Sequence, residues 1–360
     1  MIEVCVLGPG SGSKWNGLVE QSPHGSFYHL WEWGEVLSYT YGYQRYYLIA
    51  KRDGDLAGIF PLIYVKSILF CNRLISLPFC EYGGPLVNPT LDNNTAQQVI
   101  SKLLGASNKL ARSIGAKYIE IKGLSSSFTL DVLHGLGYSD FQRYMTFRVD
   151  LTEPVEVLWR NLNKKTRNAT RKAMKKGVEV VEAKRVEHLR AYYALYLRAQ
   201  KRLGSPPHTC RLFQNLFEAF HQQGKMKIML AEYLGKPIAG IMTFHWGNTI
   251  YWSSNVMDFE HRNLNPTNLL LWKTIEHESK ERNKVLDFGR TRRNTAIHHF
   301  KKGWGGKEAI LKDCTRFFGD VKVPPDPSQR KYVYLSKFWS LVPVTASRYL
   351  GPHIISGLAL

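Results

Sequence analysis

The chain is short of acid, of paired cysteines and of long apolar runs, and each shortage excludes something. Its 360 residues hold 49 Lys and Arg but only 29 Asp and Glu, a formal charge of +20 with histidine neutral. That excess favours an anionic partner, whether nucleic acid, a phosphorylated or uronic substrate, or an anionic bilayer. The five cysteines, Cys5, Cys71, Cys80, Cys210 and Cys314, are odd in number and scattered, with no CxxC pair and no histidine at zinc-ligand spacing. They read as reduced, mostly buried thiols of a cytoplasmic protein, and no metal site is expected. No stretch reaches the roughly 18 uncharged apolar residues of a membrane span. The opening MIEVCVLGPGSGSKW lacks the basic start and apolar core of a signal peptide. What is present is material for a core: 44% hydrophobic and 12% aromatic residues exclude disorder. The length suggests about two domains.

An internal repeat supports that number. Asp53-Gly-Asp-Leu-Ala-Gly-Ile-Phe-Pro-Leu62 reads as a tight turn entering a strand, and Leu234-Gly-Lys-Pro-Ile-Ala-Gly-Ile-Met-Thr-Phe-His245 follows the same plan with its Ala-Gly-Ile triplet. Each follows a β-rich run, Tyr46 to Ala50 and Met226 to Ala231, which makes two hairpins. Downstream, Thr95 to Ser113 has helical spacing and precedes the strand Lys117 to Lys122; Pro266 to Arg282 is a helix preceding Lys284 to Phe288. Each half opens with helix, over Tyr28 to Tyr39 in the first and over Val155 to Lys176 and Glu187 to Arg202 in the second. The pattern predicts a tandem α+β arrangement, with a first domain over 1–152, a second over 153–322 and a tail over 323–360.

The densest charge lies in Leu158 to Gly177. A single helix there would put Arg160, Lys164, Arg167, Arg171 and Lys175 on one stripe and Leu158, Leu162, Ala169 and Ala173 on another, with Gly177 as its stop. Like charges so close repel, which suits an anion-contacting face or, failing that, a solvated one.

The blocks Leu158-Trp-x-x-Leu-x-x-Lys-x-Arg-Asn-x-x-Arg-Lys-Ala-x-Lys-x-Gly-Val178, Arg262-x-Leu-x-Pro-x-Asn-Leu-Leu-Leu-Trp272, Leu286-Asp-Phe-Gly-Arg290 and Phe300-Lys-Lys-Gly-Trp-Gly305, with Tyr82-Gly-Gly-Pro85 earlier, resemble in order those of FemAB-type aminoacyltransferases. The resemblance covers about residues 20 to 320. It implies two tandem GNAT-like acyltransferase domains, each a mixed, mainly antiparallel sheet flanked by helices, and transfer of an acyl or aminoacyl group to an amine or hydroxyl. Peptidoglycan-bridge members carry a long helical hairpin taken to hold transfer RNA, and nothing between Lys201 and Lys225 is long enough for one. The tail, from Lys337-Phe-Trp to Leu350-Gly-Pro-His-Ile354, resembles instead an exosortase-associated branch of exopolysaccharide systems. The resemblance therefore implies an anionic nucleotide- or lipid-linked sugar of the cell envelope as acceptor. Acyl-CoA or aminoacyl-tRNA would serve as co-substrate, with no tightly bound cofactor. Bridge synthesis from aminoacyl-tRNA is one alternative, and a basic nucleic-acid-binding protein without catalysis is another.

Acyl transfer needs a bound donor, a nucleophile that loses its proton in time, and hydrogen-bond donors for the oxyanion. No [Q/R]-x-x-G-x-[G/A] pyrophosphate turn occurs, which disfavours conventional CoA binding. The cationic loop Gly289 to Lys302 suits an anion cradle. By resemblance Arg290 binds substrate and Lys301 is catalytic; the competing reading pairs Arg290 with Asp287. Asp287 sits in an otherwise apolar strand, as a structural carboxylate or a general base. His298 and His299 point apart on a helix, so a shared metal is not expected; a solvent-facing histidine beside Lys301 is the preferred reading, a proton carrier the other. Tyr251, Ser253 and Asn255 would share one strand face lining an acyl pocket or meeting solvent. Arg262, Tyr82, Lys164, Arg167 and Arg171 complete the expected substrate contacts. Residues 331–360 would lend peripheral contact with an anionic membrane from the cytoplasmic side.

Overall fold

A computed structural model describes the chain apart from residues 9, 69, 125, 126, 282, 320–329 and 360. It packs as two compact units. The first comprises Met1–Arg143, Leu311–Asp326 and Ile354–Leu360, and the second Tyr144–Ile310 and Pro327–His353. The expected boundary at residue 152 thus falls at Arg143, and the chain returns to the first unit twice. The boundary expected at 322 lies outside the described residues.

In the first unit β1 (Ile2–Val6), α1 (Gly12–Gln21) and α2 (Trp31–Tyr41) precede the hairpin β2 (Gln44–Arg52) and β3 (Asp55–Val65). Then come β4 (Arg73–Ile75), β5 (Leu86–Val87), α3 (Asn93–Ser113), β6 (Tyr118–Leu124) and α4 (Ser127–Gly135). The chain leaves the unit within β7 (Ser139–Asp150). α3 starts where the Asp92 carboxylate accepts from the Thr95 amide, a helix cap worth about 1 kcal/mol. Its buried Val99, Ile100, Leu103 and Leu104 sit in one core with Leu48, Phe60 and Leu62 of the hairpin.

The second unit continues with α5 (Val155–Asn161), α6 (Lys164–Lys175), β8 (Glu179–Glu182), α7 (Val186–Leu203), α8 (Cys210–Phe220), the hairpin β9 (Met226–Tyr233) and β10 (Lys236–Trp246), β11 (Thr249–Met257), α9 (Pro266–Glu278), β12 (Val285–Asp287) and α10 (Ala296–Lys302). Its sheet runs β7, β12, β11, β10, β9, β8, with β11 and β12 parallel and the other pairs antiparallel. The expected end of α9 at Arg282 lies outside the described residues. β13 (Lys307–Phe317) carries the chain back, and its Lys312–Phe317 stretch pairs with β6 in the first unit. α11 (Arg330–Leu341) and α12 (Val344–Leu358) follow. Among the described residues no helix is long and apolar enough to cross a membrane.

The repeat is real in the backbone but one residue off in the sequence. Asp53-Gly54 and Leu234-Gly235 both take positive φ at two successive positions, the requirement of a two-residue hairpin turn matched to strand twist. Three residues past the turn glycine each hairpin carries a bulge, at Ala57 and at Ile238. Aligned on turn and bulge, Gly58 corresponds to Ala239, not to Gly240. A slip of one residue turns a side chain to the other face of a sheet. A Cβ on Gly58 would meet Val99 of α3 at 2.6 Å, whereas one on Gly240 would meet Tyr192 of α7 at 2.7 Å. The two triplet glycines serve different helix crossings.

Of the cysteines, Cys80 and Cys314 are buried, Cys71 and Cys210 half-buried and Cys5 exposed, all five free. The expectation of mostly buried thiols fails because three lie at the surface or its margin.

Three histidines are withdrawn from solvent, His29 buried and His208 and His245 half-buried. Burial pushes His29, His208 and His245 down from 6.5 to about 4. The neutral His29 ring accepts from Ser26 Oγ at 2.7 Å and donates to the Gly84 carbonyl at 3.0 Å. Below about 6.5 the unfolded chain takes up protons that the folded rings refuse, so the native state loses stability as pH falls toward 4. The expected acid loss is a few kcal/mol per histidine. Denaturant titrations between about pH 7 and pH 4 check it, and a flat profile would contradict it.

Candidate active site

β11 and β12 pair only over Thr249↔Val285, Ile250↔Leu286 and Tyr251↔Asp287. β12 ends there, while β11 runs on to Met257. Just past the last pair β11 bulges, its register against β10 slipping between Met242↔Ser254 and Thr243↔Trp252. A bulge bends its strand and increases its twist. Ladder pairing of the two parallel strands therefore ends at Tyr251, and the bulged backbone from Trp252 onward runs past the end of β12.

The bulge also overturns the expected shared face. Trp252 packs with Leu269 and Leu270 of α9, and Asn255 accepts from Thr267 of the same helix at 3.3 Å. Ser254 lies on the other side, bonded to Tyr192 of α7 at 2.9 Å. Tyr251, next to Trp252, points away from it, so Tyr251 and Asn255 occupy opposite faces. Simple alternation fails because Ser253 is the extra residue of the bulge.

Asp287 ends β12 and is 1% exposed. Its Oδ1 accepts from Thr146 Oγ1 at 2.5 Å and the Gly289 amide at 2.9 Å, and its Oδ2 from Arg148 Nε at 3.1 Å. Arg148 is its direct cross-strand neighbour on β7, the geometry in which opposite charges stabilise a sheet. Three donors thus hold the carboxylate in place. Held by a hydroxyl, an amide and a guanidinium, Asp287 is placed to anchor the end of β12, and the arrangement favours that role over a general base. Thr146 and Arg148, some 140 positions upstream, were not legible as partners.

Lys301 is the side chain that the end of this ladder brings to prominence. It is buried on α10, whose N-terminus Thr295 caps by accepting from the His298 amide. Its ammonium donates to the carbonyls of Gly289 at 3.0 Å and Arg290 at 2.9 Å, just past the end of β12. It also lies 5.5 Å from the ring centre of Trp252, the first β11 residue beyond the ladder. A cation is thus fixed at the end of the β11–β12 ladder, between two carbonyls just past β12 and the Trp252 ring of β11. Trp252 is a member of this site that sequence patterning did not single out.

Around it, Arg290 and Arg292 lie over the Tyr144 ring at 5.1 and 5.3 Å. Of the two histidines His298 is buried against Phe147, with Nε2 3.8 Å from Glu308, while His299 is exposed. The solvent-facing reading fits His299 and not His298.

The basic helix is two helices. It breaks at Leu162-Asn163, where Asn163 caps α6 by accepting from the Thr166 amide. Arg167, expected on the substrate face, turns back to donate to the carbonyls of Arg160 and Leu162, closing the end of α5. Arg171 lies over Trp159, which meets Trp272 edge-on. Lys164 remains exposed, with Lys165, Lys172 and Lys175. α6 buries Thr166, Thr170 and Ala173, and Thr170 hides its hydroxyl on the Thr166 carbonyl at 3.0 Å. The helix break is also where α10 ends. The Asn163 amide donates to the Gly303 carbonyl. A side chain on Gly303 would strike Thr166 and Asn163, and one on Gly305 would strike Asn161. Two sequence blocks read separately are therefore one seam, and its glycines are packing requirements.

Arg262 stands exposed in the 3-10 turn Phe259–Leu264, its guanidinium over Phe259 at 4.5 Å. Tyr82 belongs to the first unit, where it lines a cavity of about 30 Å³ with His24, His29 and Thr129. Between Leu203 and Met226 the chain has α8, 11 residues long.

Residues 160–302 match the family model of an acetyltransferase (GNAT) domain. The lipid II:glycine glycyltransferase of Staphylococcus haemolyticus is 23% identical over 240 residues, 62% of this chain and 54% of that protein. The chain therefore spans about half the length of the curated relatives it matches. Among solved structures, FemX superposes with a TM-score of 0.67 at 16% identity, covering 86% of this chain and 96% of FemX. A tandem GNAT protein from the clavulanic acid biosynthesis pathway superposes with a TM-score of 0.55 at 12% identity, covering 89% of this chain and all of that one. In sequence and in fold the chain resembles the FemAB-type transferases, two GNAT-like units of mixed sheet flanked by helices.

Proposed function

We propose that the second unit transfers an aminoacyl group from an activated ester to an amine of a lipid-linked peptidoglycan precursor. The observation that carries this reading is the fixed ammonium of Lys301 at the end of the β11–β12 ladder. The acceptor nitrogen attacks the acyl carbon, a C–N bond forms, the C–O bond to the donor breaks, and the amine proton leaves with the departing oxygen. Negative charge gathers meanwhile on the acyl oxygen. Preorganised amides and cations aimed at such an oxygen are the largest single source of rate enhancement in acyl transfer. The β11 backbone beyond the ladder and Lys301 supply both kinds.

The donor end favours an aminoacyl ester over CoA. α9 begins with Asn265 in the left-handed region and Pro266 at its first position, and proline removes an amide that a pyrophosphate would use. The exposed lysines of α6 suit the phosphates of a transfer RNA, which predicts affinity that weakens with salt. The relatives' names support a peptidoglycan acceptor over the exopolysaccharide precursor first expected.

The test is reconstitution. Purified protein, mixed aminoacyl-tRNA and a lipid-linked peptidoglycan precursor are combined, and the precursor is weighed by mass spectrometry. A mass gain of one aminoacyl residue is expected. An acetylated product from acetyl-CoA, or no product with any charged tRNA, would overturn the reading.

A further inference from the structure

We infer that α11 and the start of α12 form a docking surface for an anionic lipid bilayer. The helices are inverted relative to ordinary surface helices, which turn their apolar stripe to the core. α11 presents Ser336 and Trp339 to the protein: Ser336 Oγ donates to the Leu203 carbonyl at 3.2 Å, and Trp339 is buried. Its opposite face carries Tyr334, Phe338 and Leu341, spaced four and three residues apart, at 68%, 67% and 79% exposure. On α12 Ser347 and Gly351 are buried, Gly351 so close to Pro207 that a Cβ would sit 2.3 Å from it, while Tyr349 is 72% exposed and Leu350 54%. On both helices small side chains face the protein, joined on α11 by Trp339, and Tyr334, Phe338, Leu341, Tyr349 and Leu350 are left outward.

Charge selects the occupant. From residue 327 to the end the sequence has no Asp or Glu, against Arg330, Lys331, Lys337 and Arg348. A protein partner for an apolar stripe does not require that acid be absent over such a length. An anionic headgroup layer does favour it, since each nearby Lys or Arg adds about 1 kcal/mol of attraction. Tyrosine, phenylalanine and leucine beside lysine and arginine suit the boundary of headgroups and acyl chains. Neither helix can span, so contact is from one side. The purpose of this surface rests on the lipid-linked acceptor proposed above, since it would bring the enzyme to the leaflet that holds that substrate; the surface itself does not.

Flotation of the full chain with vesicles of equal parts phosphatidylglycerol and phosphatidylcholine, and with phosphatidylcholine alone, tests it. Binding to the anionic vesicles and little to the neutral ones is expected. The double variant Phe338→Ser, Leu341→Ser should weaken partitioning on the order of tenfold or more, with an unchanged thermal melt. Lys337→Gln with Arg348→Gln should weaken it only at low salt. Transfer to a soluble, short-chain acceptor should be the same in every variant, which separates failure of docking from failure of the catalytic reading. Equal partitioning of wild type and double variant would overturn the inference. So would no binding to anionic vesicles, or a dimer that the double variant splits in their absence.

Discussion

Replacing Lys301 by Met should lower kcat by about 10²- to 10³-fold, or ~3–4 kcal/mol of transition-state stabilisation, and leave KM nearly unchanged. The ammonium is held by the carbonyls of Gly289 and Arg290 beside Trp252, so the enzyme orders it before substrate arrives. A cation already in place costs no reorganisation when charge builds on the acyl oxygen. Methionine keeps the length and the contact with Trp252 but deprives two carbonyls of a donor, which costs about 1–3 kcal/mol of stability. That lies within the 5–15 kcal/mol typical of a folded domain. Lys301→Arg should not restore the rate, because a planar fork cannot replace a compact ammonium between two adjacent carbonyls. Steady-state kinetics, with a thermal melt on each variant, decides. A folded Lys301→Met enzyme with wild-type kcat would remove Lys301 from the chemistry.

What the sequence reveals about this site depends on range. Local chemistry is legible. The turns at Asp53-Gly54 and Leu234-Gly235 announce both hairpins, Pro266 begins its helix as expected while α3 starts two residues before the expected Thr95, and the tandem α+β order follows from that periodicity. Single-residue register is not. The Ala-Gly-Ile triplets match in letters yet sit one position apart relative to turn and bulge, and Tyr251 and Asn255 lose their shared face to the Ser253 bulge. Nothing in a β-branched or polar run marks where a strand takes in an extra residue, because that is decided by its neighbours. The basic stretch shows a similar limit. Its charges are evident, but Asn163 is a better cap than a mid-helix residue, and that preference breaks the stripe and turns Arg167 inward. Long-range pairing is the least legible. The partners of Asp287 come from β7, and β13 completes the sheet of a unit whose other strands ended long before. Lys301 stands out in the sequence only through a family resemblance, and its carbonyl clasp and Trp252 depend on the fold.

Asp287→Ala should cost about 3–5 kcal/mol of stability and reduce activity chiefly through that loss. The substitution leaves the buried Thr146 hydroxyl and the Gly289 amide without their acceptor, at about 1–3 kcal/mol each. Arg148 adds less, because its side chain is 44% exposed and water screens it. Asp287→Asn separates an anchor from a base. An amide oxygen in place of Oδ1 still accepts from Thr146 and Gly289, and only the Arg148 side turns unfavourable, so the expected cost is about 1–2 kcal/mol. Because the Gly289 bond is kept, the Gly289 and Arg290 carbonyls still clasp Lys301. Asp287→Asn should then retain most of the wild-type kcat and the same dependence of kcat/KM on pH. A base would behave oppositely: the amide variant would fold as well as wild type, lose several orders of magnitude in kcat, and lose the acid limb of its pH profile. Urea unfolding and a pH–rate profile on the one variant distinguish the two, and the second pattern would make Asp287 the base.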